Sequence, residues 1–103
     1  MRRVVRRSYR RPGRLIPKRS RGLRARSVLL PPEASVAWHS TGAREELLIG
    51  LAGEVLVEIR RAGTVRRVAL AAGWSLWLPP SLPHRVINAS TTPVRYLYVT
   101  GAA

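Results

Sequence analysis

The chain has 103 residues, with 19 Lys and Arg against five Glu, no Asp and no Cys, which gives a formal net charge of +14. This length suits one domain with a modest core, and a hydrophobic content of 46% excludes a chain that is disordered throughout. The absence of cysteine excludes disulfides, zinc ribbons, iron–sulfur clusters and cysteine nucleophiles.

The charge is unevenly distributed. Residues 1–27 hold 12 of the 19 Lys and Arg and none of the Glu, whereas residues 28–103 hold seven Arg and all five Glu. We therefore predict a basic leader over residues 1–22, either disordered or added as an edge strand, and a globular domain over residues 23–103. The leader lacks the apolar stretch of a secretory signal, and Gly and Pro interrupt the longest uncharged run, residues 68–83. We expect a cytoplasmic protein with no membrane partner.

A series of short strands separated by turns follows the leader. The predicted strands cover residues 23–30, 35–40, 46–51, 54–59, 65–70, 74–78, 84–88 and 94–100. Apolar residues alternate with polar ones in several of them, and no segment has the 3.6-residue apolar period of a helix. Short strands with regularly spaced turn signals predict an all-β sandwich or barrel, and closure would protect the strand edges of so small a sheet.

The basic leader would attract polyanions, so nucleic acid is one partner to consider for residues 1–27. Only Tyr9 offers a ring for base stacking in that segment. The alternatives are a solvated tail or a stretch encoded upstream of the true translation start, and we favour these over nucleic-acid binding.

The chain has two histidines, His39 and His84, and each lies on a predicted strand next to a turn. Glu46 enters an apolar strand, where a carboxylate is costly unless it is paired or bound to a metal. Imidazole and carboxylate are ordinary ligands for first-row transition metals. The alternative is that both histidines are partly exposed and the glutamate lies at the surface.

The spacing around His39 follows one known motif: Gly, five residues, His-x-His, three or four residues, Glu, six residues and Gly. It corresponds here to Glu33, His39, Thr41, Glu46 and Gly53. The first His, the Glu and the closing Gly are present, while Glu33 replaces the opening Gly and Thr41 replaces the second His.

A second motif reads Gly, five residues, Pro-x-Gly, two residues, His, three residues and Asn. It corresponds here to Gly73, Pro79, Ser81, His84 and Asn88, and Ser81 replaces a Gly. With these two motifs the chain, over roughly residues 26–100, resembles the cupin superfamily of small double-stranded β-helix (jelly-roll) barrels. Locally, the turn glycines Gly53 and Gly73 are expected to need a positive φ.

Cupins with an intact site bind a divalent metal through three His and one Glu. By this resemblance His39, Glu46 and His84 are the predicted ligands of Fe, Mn, Ni or Zn. Thr41 is expected on the same strand face as His39. Its neutral hydroxyl is a poor ligand, so it should face a metal-bound water or pack.

The resemblance predicts a small metal-binding, RmlC-like cupin that binds a small organic or sugar-like ligand, as a metal-dependent dioxygenase or isomerase. A non-catalytic cupin that senses a ligand or forms structure is the alternative, with nucleic acid docking through the leader. Cupins often form dimers, and the apolar strands here lead us to expect a homodimer. No general base beyond the metal ligands is identifiable, and the catalytic residues stay unknown.

Overall fold

The computed structural model describes residues 3–102, which form nine β-strands and no helix. The strands are β1 (Gly13–Arg14), β2 (Leu23–Leu30), β3 (Ser35–His39), β4 (Arg44–Ala52), β5 (Glu54–Arg61), β6 (Thr64–Ala71), β7 (Ser75–Leu78), β8 (His84–Ile87) and β9 (Val94–Ala102). The all-β class predicted from the sequence is confirmed. No helix in the described part of the chain is long and apolar enough to cross a membrane.

Two antiparallel sheets make up the molecule. The first has five strands in the order β1-β2-β9-β4-β7, and the second has four in the order β3-β8-β5-β6. Strands far apart in sequence pair within each sheet: β9 lies between β2 and β4, and β8 lies between β3 and β5. These crossovers between the sheets give the jelly-roll barrel expected from the sequence motifs.

The core lies between the two sheets and follows from the alternation of residues along each strand. In β5, Val55 and Val57 are at most 2% exposed, and β4 buries Leu48 in the same interior. Each such side chain contributes about 1.5–3 kcal/mol relative to an exposed position. The buried cluster consists of Leu30, Leu48, Val55, Val57, Leu70, Leu78, Leu82, Val86, Val94 and Tyr96.

The turns at Gly53 and Gly73 have the predicted positive φ, at 73° and 88°. Gly53 joins β4 to β5, and a Cβ atom built there would lie 2.6 Å from Cγ1 of Val94. Both the left-handed backbone and the lack of space therefore require glycine at this turn. The turn directs β4 and β5 into different sheets.

One sequence prediction about β3 is wrong. Thr41 was expected on the same strand face as His39, but β3 ends at His39 and Thr41 lies in the following loop. The pairing of β3 with β8 shifts register between Val36 and His39, so that His39 is paired directly with His84. A β-bulge of this kind redirects the end of a strand, and strand alternation cannot be continued beyond it.

Part of the basic leader lies against the five-stranded sheet. Gly13 and Arg14 form β1, which pairs with Ser27 and Arg26 of β2. The backbone carbonyl of Tyr9 accepts hydrogen bonds from the Ser27 hydroxyl and the Arg95 guanidinium. Residues 1 and 2 of the leader lie outside the described residues, and the boundary at residue 22 stays a prediction.

Candidate metal centre

His39, Glu46 and His84 meet in the barrel interior from both sheets. His39 ends β3 and His84 begins β8 in the four-stranded sheet, while Glu46 lies on β4 of the five-stranded sheet that faces them. One potential ligand atom from each residue lies within 4.8 Å of the other two. The two imidazole rings are 4.4 Å apart between centroids. The fold thus brings together all three predicted ligands; their role as metal ligands stays a prediction.

Backbone carbonyls fix which nitrogen of each imidazole carries hydrogen. Nδ1 of His84 lies 2.8 Å from the carbonyl oxygen of Leu82, and Nδ1 of His39 lies 2.8 Å from that of Ala37. A carbonyl oxygen only accepts, so each Nδ1 is the donor. The Nε2 atoms of both neutral rings therefore present lone pairs to the space between them. A carbonyl bond of this kind also orients an imidazole that ligates a metal.

The carboxylate of Glu46 adds a third acceptor to this space. Glu46 is only 4% exposed, and its Oε1 lies 2.8 Å from Nε2 of His84. While Nε2 of His84 carries no proton, this buried Oε1 has no hydrogen-bond donor within the described part of the chain. Two lone pairs at this distance repel each other unless a proton or a cation lies between or beside them. The donor set and the orphaned oxygen fit a divalent transition metal.

The same contact favours a proton when no cation is present. Burial lowers the pKa of His84, but the hydrogen bond with Glu46, the Leu82 carbonyl and the charge of Glu46 together outweigh burial. The pKa of His84 is therefore raised above its ordinary value of 6.5. A proton on Nε2 of His84 would occupy the position that a metal ion needs.

Thr41 takes no direct part in this cluster. Its hydroxyl donates a hydrogen bond of 2.7 Å to the backbone carbonyl of Arg44, which closes the loop between β3 and β4. The hydroxyl is therefore committed to the backbone. Two imidazoles and one carboxylate remain as the available ligand set.

A cavity of about 520 Å³ opens beside the cluster, within the range of small-molecule sites. It is lined by the three cluster residues and by Arg24, Val28, Val36, Ser40, Thr41, Arg44, Leu48, Val86, Tyr96, Tyr98 and Thr100. Tyr96 is 3% exposed, and burial, together with the negative charge of Glu46 and with Tyr98, raises its pKa. Its hydroxyl therefore stays protonated and is available as a donor.

Two arginines that line this cavity, Arg24 and Arg44, were not predicted from the sequence. Arg44 lies two residues before Glu46, so strand alternation puts both on the inner face of β4. Arg24 likewise shares its face of β2 with Val28 and Leu30. The alternation along each strand can be read from the sequence. The sequence does not show that the first residues of β2 and β4 reach the cavity.

Comparison with known proteins decides the family. A family model described as "Cupin domain" matches residues 26–100. The chain belongs to the cupin family. A search of curated proteins found no match.

Solved structures share the fold of this cupin at low sequence identity. TT1209 from Thermus thermophilus has a TM-score of 0.75 at 23% identity, over 95% of this chain and 90% of the other. A Cupin 2 conserved barrel domain protein from Salinispora arenicola has a TM-score of 0.72 at 23% identity, over 90% and 76%. Oxalate oxidase in complex with glycolate has a TM-score of 0.73 at 20% identity, over 79% of this chain. The cupin spans only 42% of that oxalate oxidase chain.

Proposed function

We propose that this cupin holds one divalent transition metal between His39, Glu46 and His84 and binds a small organic ligand in the adjoining cavity. One observation carries the proposal: potential ligand atoms of two imidazoles and a buried carboxylate converge within 4.8 Å, and the buried Oε1 of Glu46 has no donor among residues 3–102 while His84 is neutral. Neutral imidazole and carboxylate together suit Fe, Mn, Ni or Zn.

Three protein ligands leave coordination positions free for other molecules. When bound, such a metal supplies Lewis acidity or O₂ activation, so dioxygenase or isomerase chemistry is the reaction class we propose. Among the described cavity residues, Glu46 is the only carboxylate, and the two imidazoles belong to the same cluster. Tyr96 is the buried tyrosine among the described cavity residues, and its neutral hydroxyl can donate a hydrogen bond to a ligand.

The metal content of the purified protein tests this proposal. Protein without a polyhistidine tag is incubated with Fe, Mn, Ni and Zn, freed of unbound ions and analysed for bound elements. We expect about one equivalent for the wild type and less than about a tenth for Glu46→Gln and His84→Ala, because both variants remove a ligand. Glu54→Gln makes the same chemical change at an exposed position of β5 and should retain the metal.

Two results would overturn the proposed metal centre: a wild type that binds none of the four metals, or a Glu46→Gln variant that binds as much metal as Glu54→Gln.

A ligand-sensing or structural cupin without metal is the second candidate function. It is favoured by Thr41, because the residue that stands in place of the second motif His uses its hydroxyl on the Arg44 carbonyl. A metal-free wild type that still binds small molecules in the cavity would support it.

A further inference from the structure

The cavity beside the three-residue cluster carries an excess of positive charge. Arg24 from β2 and Arg44 from β4 both line it, and Glu46 is the only carboxylate among its described residues. Among residues 3–102, neither guanidinium forms an ion pair with a carboxylate; the ion pairs of the described chain involve other residues. The two arginines and Glu46 therefore sum to +1, and a bound divalent cation would raise this excess.

Arg44 is held rigidly in place by neutral groups. Its Nε donates to the Thr100 hydroxyl at 3.0 Å, and its Nη2 donates to the carbonyl oxygens of Thr100 and Gly22 at 2.8 and 3.2 Å. None of these partners is charged. The Nη1 hydrogens have no partner among the described residues. This guanidinium is fixed in position and keeps the two Nη1 hydrogens free to donate to an oxyanion in the cavity.

The remaining walls of the cavity are largely apolar. Val28, Val36, Leu48 and Val86 come from both sheets, and the rings of Tyr96 and Tyr98 extend this surface. A ligand that fills the cavity therefore has an apolar body as well as a charged group. Water or a bare inorganic ion would leave the apolar walls without a contact.

We propose that the cavity binds an organic carboxylate, with its carboxylate held by Arg24 and Arg44 and its apolar body packed on the valine and tyrosine walls. This inference rests on the proposed function in one respect, that the cavity beside the cluster is the ligand site. It adds the chemical class of the ligand and two residues that select it. A single negative charge neutralises the excess of the two arginines and Glu46. Arg24 can bind carboxylate oxygens through paired hydrogen bonds, and the two Nη1 hydrogens of Arg44 can donate to the same group.

A matched pair of probes tests the charge requirement. Benzoate and benzamide have nearly the same shape and differ in charge, and inorganic phosphate has charge without an apolar body. Each is titrated into zinc-loaded protein and followed by amide chemical shifts in NMR spectra. We expect benzoate to bind about tenfold or more tightly than benzamide, as a charge-assisted hydrogen bond predicts. Phosphate should bind more weakly than benzoate.

Variants of the arginines test the assignment. Arg24 makes no side-chain hydrogen bond within the described chain, so Arg24→Gln should fold normally and weaken benzoate binding about tenfold. Arg24→Lys keeps the charge and should recover part of the affinity. Arg66→Gln is the matched control, because Arg66 is exposed on β6 and does not line the cavity. Arg44→Gln should weaken benzoate binding as well, with some loss of stability because Arg44 also anchors Thr100.

The outcomes separate this inference from the metal centre. The titrations are repeated with metal-free protein: a preference for benzoate there supports the arginine site even if the metal analysis fails. Equal affinity for benzoate and benzamide, no saturable benzoate binding, or equal effects of Arg24→Gln and Arg66→Gln would each overturn the inference. Phosphate that binds more tightly than benzoate would also overturn it, because the apolar body would then have no role.

Discussion

Glu58 is a buried carboxylate on the side of β5 opposite to the core. It is 4% exposed, and Arg67 donates two hydrogen bonds to its Oε2, at 2.7 and 3.1 Å. Arg85 from β8 donates to its Oε1, and the guanidinium of Arg85 also lies 5.1 Å from the ring centre of Trp38. Glu58 thus ties β5 to both neighbouring strands, and its charge is balanced by two cations.

The pairing of Glu58 predicts how stability depends on pH. The hydrogen bonds from Arg67 and then Arg85 lower the pKa of Glu58 below its ordinary value of 4.5, against the opposing effect of burial. The stabilisation is present above pH 4.5 and is lost as the pH falls through the lowered pKa of the folded state. Glu58→Gln should therefore reduce the acid-induced fall in the free energy of unfolding, measured by urea unfolding at several pH values. Glu54→Gln should keep the wild-type pH dependence; identical curves for both variants would contradict this role of Glu58.

Individual residues also show which features of the backbone and of the site the two motifs could predict. Glu33 and Ser81 stand where the two motifs have glycine, and their φ values are 61° and 60°. The backbone therefore keeps the glycine-like conformation although the residue type has changed. Motif spacing predicted the three-residue cluster, but it could not show that the Thr41 hydroxyl bonds to Arg44, because that contact depends on the loop after β3.

At the level of the sheet, the outer face of the five-stranded sheet carries an apolar patch on β4, β7 and β9, bordered by Glu45, which accepts a hydrogen bond from the Trp77 indole. Leu47 of β4 pairs with Trp77 of β7, and the two side chains are 36% and 55% exposed. Strand alternation places Ile49, Leu97 and Val99 on the same face, opposite to Glu46 and Leu48. Sequence alternation predicted which residues share a face, but it could not show which apolar faces remain outside. Whether a face is covered is decided by packing between strands distant in sequence.

This outer face leads us to propose a homodimer, as expected from the family resemblance. Trp77→Lys would place a charge on the most exposed apolar side chain of this face, on its edge strand β7, and should shift the protein from dimer to monomer in sedimentation-velocity experiments. Val65→Lys is the control, because Val65 is 51% exposed on the other sheet. A monomeric wild type, or equal effects of the two variants, would argue against this interface.

At the scale of the whole molecule, the charge of +14 divides between two regions. Residues 1–27 carry 12 of the 19 Lys and Arg, and the remaining residues are close to neutral. Composition alone predicted this division. It could not predict that Arg24, which belongs by sequence to the basic segment, lines the cavity of the barrel.

The division of charge predicts where any affinity for nucleic acid resides. A chain that begins at Leu23 should bind double-stranded DNA at least about tenfold more weakly than the full chain at low salt, with a smaller salt dependence, because released counterions scale with the phosphates neutralised. Fluorescence anisotropy over a range of salt concentrations measures both quantities. Equal binding by the two chains would exclude the basic leader as a nucleic-acid arm.

The barrel brings two histidines and a glutamate from opposite sheets to one point, and we expect a metal ion to bind there. Zinc binding is tested with crystals of the untagged protein grown with Zn²⁺. Diffraction data are recorded at the zinc absorption edge, and an anomalous difference map is calculated from them. We expect one peak within about 2.3 Å of Nε2 of His39, Nε2 of His84 and a carboxylate oxygen of Glu46. Zinc bound only elsewhere, or bound through Nδ1 of either histidine, would contradict it.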